Sequence, residues 1–184
     1  MAAARTERED QVWTEKNCLD LSRRGLTEFP NEDFDSHSPG WISPHELRSL
    51  QIHHNFIGIL PPIIQQYSGL VILDISNNGM SHICEELGQL TSLQTLVAKN
   101  NNLDNDSIPK SFSELVSLTA VNLGGNKLTE FPVQLILMNK IERLFLGSNR
   151  ITQVPGAIES MQRLVLGYIP MLPAYRLPLL SNLY

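Results

Sequence analysis

The 184-residue chain has few cysteines, no excess of basic charge and no long apolar run, and each shortage excludes something. Two cysteines, Cys18 and Cys84, are too few for the multi-disulfide framework of a small secreted domain. Reduced thiols in the cytosol or nucleus are the simpler reading. Lysine and arginine number 14 against 19 aspartates and glutamates, a net charge of −5 with both signs interspersed. No basic stripe is present, so nucleic acid is not the expected partner. No stretch approaches the 18 or so apolar residues of a transmembrane helix. The opening "MAAARTEREDQVW" has no apolar core of a secretory signal. The sequon Asn105-Asp106-Ser107 is then a chance match, because glycosylation needs the secretory route. A hydrophobic content of 42% is enough for one core, hence one domain.

What the chain does have is one phrase, repeated. "LVILDISNNGM" begins at Leu70, "LQTLVAKNNNL" at Leu93, "LTAVNLGGNKL" at Leu118 and "IERLFLGSNRI" at Ile141. Each fits L-x-x-L-x-L-x-x-N-x-L. The asparagines are Asn55, Asn78, Asn101, Asn126 and Asn149, at intervals of 23, 23, 25 and 23 residues. The L-x-L segment reads as a short strand with two aliphatic side chains on one face. One such strand cannot bury that face alone, whereas stacked copies form a continuous core. The Asn stands where the chain must turn. Its amide can donate to and accept from backbone groups that water does not reach, so the stacked asparagines should form a ladder. A second phrase follows each Asn, as in "LTEFPVQLILMNKI" and "ITQVPGAIESMQRL". The apolar-Pro step suits a short helix or irregular turn with Pro at its first position, packed on the core from the other side.

These motifs resemble the leucine-rich repeat family. The 23-residue period and the "LTEFP" and "ITQVP" steps look like its intracellular subclass, which includes Ras suppressors and scaffold proteins. The resemblance covers roughly residues 16–167. It implies an α/β leucine-rich repeat solenoid: a curved parallel sheet on the concave side, with short helices or irregular turns on the convex side. It also implies a concave face or rim that grips another protein, with no catalytic residue and no cofactor. Extracellular members usually carry flanking cysteine clusters, and none is here.

The expected organisation is a flexible N-terminus over 1–14, a repeat domain over 15–167 and a divergent tail over 168–184. The domain holds about six full repeats and a partial seventh. The first repeat, "CLDLSRRGLTEFP", has Arg24 at the Asn position and reads as the N-terminal cap. Residues 31–46 form an insertion, in which Trp41 covers an apolar edge and "SPHE" starts a short helix with a capping box. Cys84 stands where repeat three would carry Pro. The seventh repeat starts at "MQRLVLG" and fails at Tyr168, Ile169 and Pro170. The apolar tail is either an irregular cap or the replacement end of a truncated form of a longer protein; the second is preferred.

The strand-centre column reads Asp20, Gln51, Asp74, Val97, Asn122, Phe145, Val165, polar first and apolar last. The residues before the second leucine read Cys18, Ser49, Ile72, Thr95, Ala120, Arg143, Arg163. Protein binding is therefore expected on Val97, Arg143, Phe145, Arg163 and Val165, because aromatic and arginine side chains dominate interface energy. The rival reading places Phe145 beneath the tail or beneath further repeats. A non-enzymatic scaffold is the leading function, and a substrate-recruiting subunit of a cullin-type ubiquitin ligase is the alternative, although no adaptor-binding box is visible.

No metal or small-molecule site is expected. Adjacent His53 and His54 should point to opposite faces, with His82 a repeat away. Asp20 and Asp74 should lie about 10 Å apart, without a nucleophile and base beside them. "LGGN" at residues 123–126 lacks the Lys-Ser/Thr of a phosphate loop.

Overall fold

A computed structural model describes residues 17–30 and 43–165. The expected N-terminal segment, the body of the insertion with Trp41, and the tail lie outside these residues, as do both domain boundaries.

Six three-residue strands pair in parallel in the order β1 (Cys18–Asp20), β2 (Ser49–Gln51), β4 (Ile72–Asp74), β6 (Thr95–Val97), β7 (Ala120–Asn122) and β8 (Arg143–Phe145). Successive repeats therefore lie side by side. Two shorter strands, β3 (Ile59–Leu60) and β5 (His82–Ile83), make a second parallel pair. The convex side is built from single turns of 3-10 helix: Pro62–Gln66, Glu85–Gln89, Lys110–Glu114, Val133–Leu137 and Gly156–Ser160. With two to five residues per element, no isolated repeat would hold its shape; stacking supplies the burial.

Register turns the repeat phrase into rows. The middle strand residues Leu19, Leu50, Leu73, Leu96, Val121 and Leu144 form one buried row. Leu21, Ile52, Ile75, Ala98, Leu123 and Leu146 form the next. Ile64, Leu87, Phe112, Leu135 and Ile158, one from each convex turn, close the core from behind. Full burial of one such aliphatic side chain contributes about 1.5–3 kcal/mol, so the rows are the main source of stability.

Pro62 opens its turn as the Pro pattern suggests, whereas the turns after Pro109, Pro132 and Pro155 begin one residue later. Pro61, Pro109, Pro132 and Pro155 precede the turn, and their carbonyls accept its first hydrogen bond, from Ile64, Phe112, Leu135 and Ile158 at 3.0–3.1 Å. Buried Cys84 does the same for Leu87, so the missing Pro costs no hydrogen bond. A 3-10 turn does form at Pro44–Glu46, where the Glu46 carboxylate accepts from the Ser43 N–H at 3.3 Å.

The 25-residue interval has a visible cause. An extra 3-10 turn, Asn105–Ser107, is capped by Asp104, whose carboxylate accepts from the Ser107 N–H at 3.1 Å and its hydroxyl at 2.6 Å. Ser107 also donates to the Ser81 carbonyl of the preceding repeat at 2.7 Å. The Asn105 amide ties forward to Thr129 and Glu130. Both ends of the sequon thus serve repeat stacking.

Candidate binding surface

The turn after each strand sets the surface. Asn101 shows the pattern. Its Nδ2 donates to the Ile75 and Ala98 carbonyls at 3.0 and 3.1 Å. Its Oδ1 accepts from the N–H groups of Asn78, Gly79 and Met80 at 2.9–3.1 Å. One side chain thus ties two repeats together. Asn55, Asn78, Asn126 and Asn149 likewise donate to the carbonyls of their own and the preceding repeat. At the first repeat, where Arg24 replaces the Asn, the Arg24 backbone N–H donates to Asn55 Oδ1 at 2.9 Å.

A second regularity runs beside the ladder. The residue before each ladder position is left-handed: Arg23, His54, Asn77, Asn100, Gly125 and Ser148 have φ between 54° and 67°. Asn and Gly take this conformation at little cost; the other side chains are strained. The signal was present as "NN", "NN" and "GN" in repeats three to five, masked by "HN" and "SN" elsewhere.

Asp20, Gln51, Asp74, Val97, Asn122 and Phe145, expected at the strand centres, are the last residues of their strands and stand in one half-buried row across the sheet. Asp20 and Asp74 each accept from a serine two residues on, Ser22 and Ser76, through both N–H and hydroxyl. Those carboxylates hold turns. Gly124 and Gly147 leave the floor beside Asn122 and Phe145 without side chains. Arg143 is exposed at the start of β8.

The seventh repeat differs from its expected register. Val165 bridges Arg143, not Phe145, and its N–H donates to the Glu142 carbonyl at 2.7 Å. The Leu164 N–H bonds the Met161 carbonyl as Ile141 bonds Met138, so Leu164 matches Ile141 and Arg163 falls in the preceding turn. Matching "MQRLVL" to "IERLFL" by its leucines misplaces it by about one helical-turn step. The structure therefore brings Arg143, Phe145 and 70%-exposed Val165 to one edge, with Arg163 at its margin and Val97 two strands away.

His53 and His54 also differ from expectation. They lie beyond β2, and the left-handed His54 turns its ring towards His53, leaving the two Nδ1 atoms 2.8 Å apart. The rings do not diverge. Among the described residues no three His, Cys, Asp or Glu side chains converge on a metal position, and no helix is long and apolar enough to cross a membrane. Cys18 and Cys84 are both free thiols.

Comparison with known proteins agrees with this geometry. The family model described as "Leucine rich repeat" matches residues 68–128. Leucine-rich repeat-containing protein 58 of Xenopus tropicalis is 41% identical over 126 residues, 68% of this chain and 34% of that protein. The chain belongs to the leucine-rich repeat family. The flightless-1 homolog of Caenorhabditis elegans is 31% identical over 110 residues, 59% of this chain and 9% of that protein. The solved leucine-rich repeat domain of APL1B superposes with a TM-score of 0.62 at 22% identity, over 74% of this chain and 39% of that one, a likeness of fold alone. The chain spans about a third of the length of its two Xenopus relatives. Leucine-rich repeat solenoids typically present an extended concave surface to other proteins rather than an active site.

Proposed function

We propose that the chain is a non-enzymatic interaction scaffold that holds a protein partner on the C-terminal half of its concave sheet, in the cytosol or nucleus. The observation that carries the reading is the change along this strand-end row. Asp20, Gln51 and Asp74 are polar, and the two carboxylates are already bonded to serines. Val97, Asn122 and Phe145 follow, and the last two border glycines that let a partner's backbone approach. An aromatic ring with an adjacent arginine is the kind of pair that carries interface energy once water is excluded. Arg143 supplies the guanidinium, Val165 extends the apolar edge, and Arg163 adds a second cation at the rim. Val97 marks the other limit of the patch. Solvated carboxylates contribute little by comparison.

Hydrogen exchange tests the placement. A partner recovered from the source cell is titrated onto the purified chain, and amide protection is mapped. Slowed exchange at residues 95–99 and 143–148 is expected. Protection confined to residues 18–22 and 49–53, or to the convex turns, would contradict the placement.

A further inference from the structure

Asn78-Gly79 is the only Asn-Gly pair in the chain. Such a pair carries its own reaction. Glycine has no Cβ, so its backbone nitrogen can approach the carboxamide of the residue before it without a steric barrier. The ladder does not ask for this glycine. In the other repeats the residue after the ladder asparagine is Phe56, Asn102, Lys127 or Arg150.

In the folded chain both reacting groups are held. Asn78 is 7% exposed, and its Nδ2 donates to the Ile52, Ile75 and Ser76 carbonyls at 3.0–3.1 Å. Its Oδ1 accepts from the Ile57 N–H at 3.3 Å. The Gly79 N–H donates to Asn101 Oδ1, in the next repeat, at 2.9 Å. A carboxamide tied at both its nitrogen and its oxygen cannot turn, and a backbone nitrogen whose proton is engaged cannot attack. We propose that Asn78 is a latent self-modification site, held inert by Asn101 and released when the Asn101 contact opens. The freed Gly79 nitrogen gives its proton to solvent and attacks Asn78 Cγ. The N–Cγ bond forms, the Cγ–Nδ2 bond breaks, and Nδ2 leaves as ammonia with a proton from water. Water then opens the cyclic imide at either carbonyl and leaves aspartate or isoaspartate at position 78. Nothing is oxidised or reduced. The change is one-way: a carboxylate takes the place of the amide that served three carbonyls, so the turn does not reclose as before.

The test incubates the full chain at mildly alkaline pH and follows position 78 by peptide mass spectrometry, with isoaspartate separated from aspartate by chromatography. The samples are the folded parent, the parent unfolded in urea, and folded Asn101→Ala and Asn126→Ala. Asn126→Ala removes ladder bonds to the Ala98 and Leu123 carbonyls and the Leu103 N–H, yet leaves the Gly79 N–H held. The folded parent should convert slower than the unfolded chain by about tenfold or more, and Asn101→Ala faster than the folded parent by about tenfold or more. Asn126→Ala should stay within about twofold of the parent. Isoaspartate should accompany aspartate throughout, as the imide requires. If Asn101→Ala does not fold, the parent alone decides: in sub-denaturing urea, conversion at Asn78 should rise in step with hydrogen exchange of the Gly79 N–H. The proposal is overturned by a parent that converts as fast folded as unfolded, by Asn101→Ala no faster than the parent, or by Asn126→Ala as fast as Asn101→Ala. Conversion that stays level while Gly79 exchange quickens, or a product with aspartate alone, overturns it equally.

Discussion

Asn101 is the most heavily bonded ladder residue, with three N–H groups on its oxygen and two carbonyls taking its amide protons. Asn101→Ala strands those buried groups and should cost about 1–3 kcal/mol. Asn102→Ala removes only an exposed bond to the Gly79 carbonyl and should cost well under that. Urea melts of the two variants compare them directly; equal losses would contradict the ladder. The left-handed column makes the opposite kind of prediction. Ser148 has φ 56° and is exposed, so Ser148→Asn relieves backbone strain and should raise stability by about 0.5–1 kcal/mol, read from the same melts. The ladder was legible because its Asn recurs in register with leucines. The left-handed column was harder to see, because it is defined by a backbone angle that several residue types fill.

Between elements, polar side chains and close packing join the convex turns. The Glu85 carboxylate accepts from the Ser111 N–H at 3.0 Å and the Lys110 N–H at 3.3 Å, which holds it below its ordinary pKa, the Ser111 bond most of all. Asp104 is lowered chiefly by the Ser107 hydroxyl. A depressed folded-state pKa contributes stability that is present above the unfolded value and lost as pH falls through the folded one. The thermal advantage of the parent over Glu85→Gln should therefore shrink on acidification from neutral pH. The effect is small because Glu85 is exposed; an advantage that grows at low pH would refute the assignment. Close packing is less forgiving. A Cβ on Gly69 would meet the backbone carbonyl oxygen of His45, which no rotamer change can move. Gly69→Ala should destabilise by about 1–3 kcal/mol in a thermal melt. Strands were legible from the L-x-L period, whereas the seventh register was not. There the leucine spacing of "MQRLVL" and the hydrogen bonding of Leu164 and Val165 point to different alignments, and the backbone follows the turn.

At the scale of the whole molecule, stacked rows make a surface whose chemistry changes from one end to the other. The N-terminal half presents turn-holding carboxylates and a histidine pair, and the C-terminal half presents Phe145, Arg143 and Val165 over a glycine floor. The rows of this surface were readable from the period for six repeats; the pairing of His53 with His54 was not, because alternation along a strand does not apply to a left-handed turn. On the proposed reading a protein partner docks on the C-terminal half of the concave sheet. Affinity for the recovered partner and thermal midpoint, measured on the same purified double variant Arg143→Ala with Phe145→Ala, test it most directly. Affinity weaker by about 2 kcal/mol or more, with the midpoint nearly unchanged, is expected. Asp20→Ala with Gln51→Ala should change affinity by less than about 1 kcal/mol. A large fall in midpoint with unchanged affinity would contradict that reading and would make Phe145 a packing residue instead.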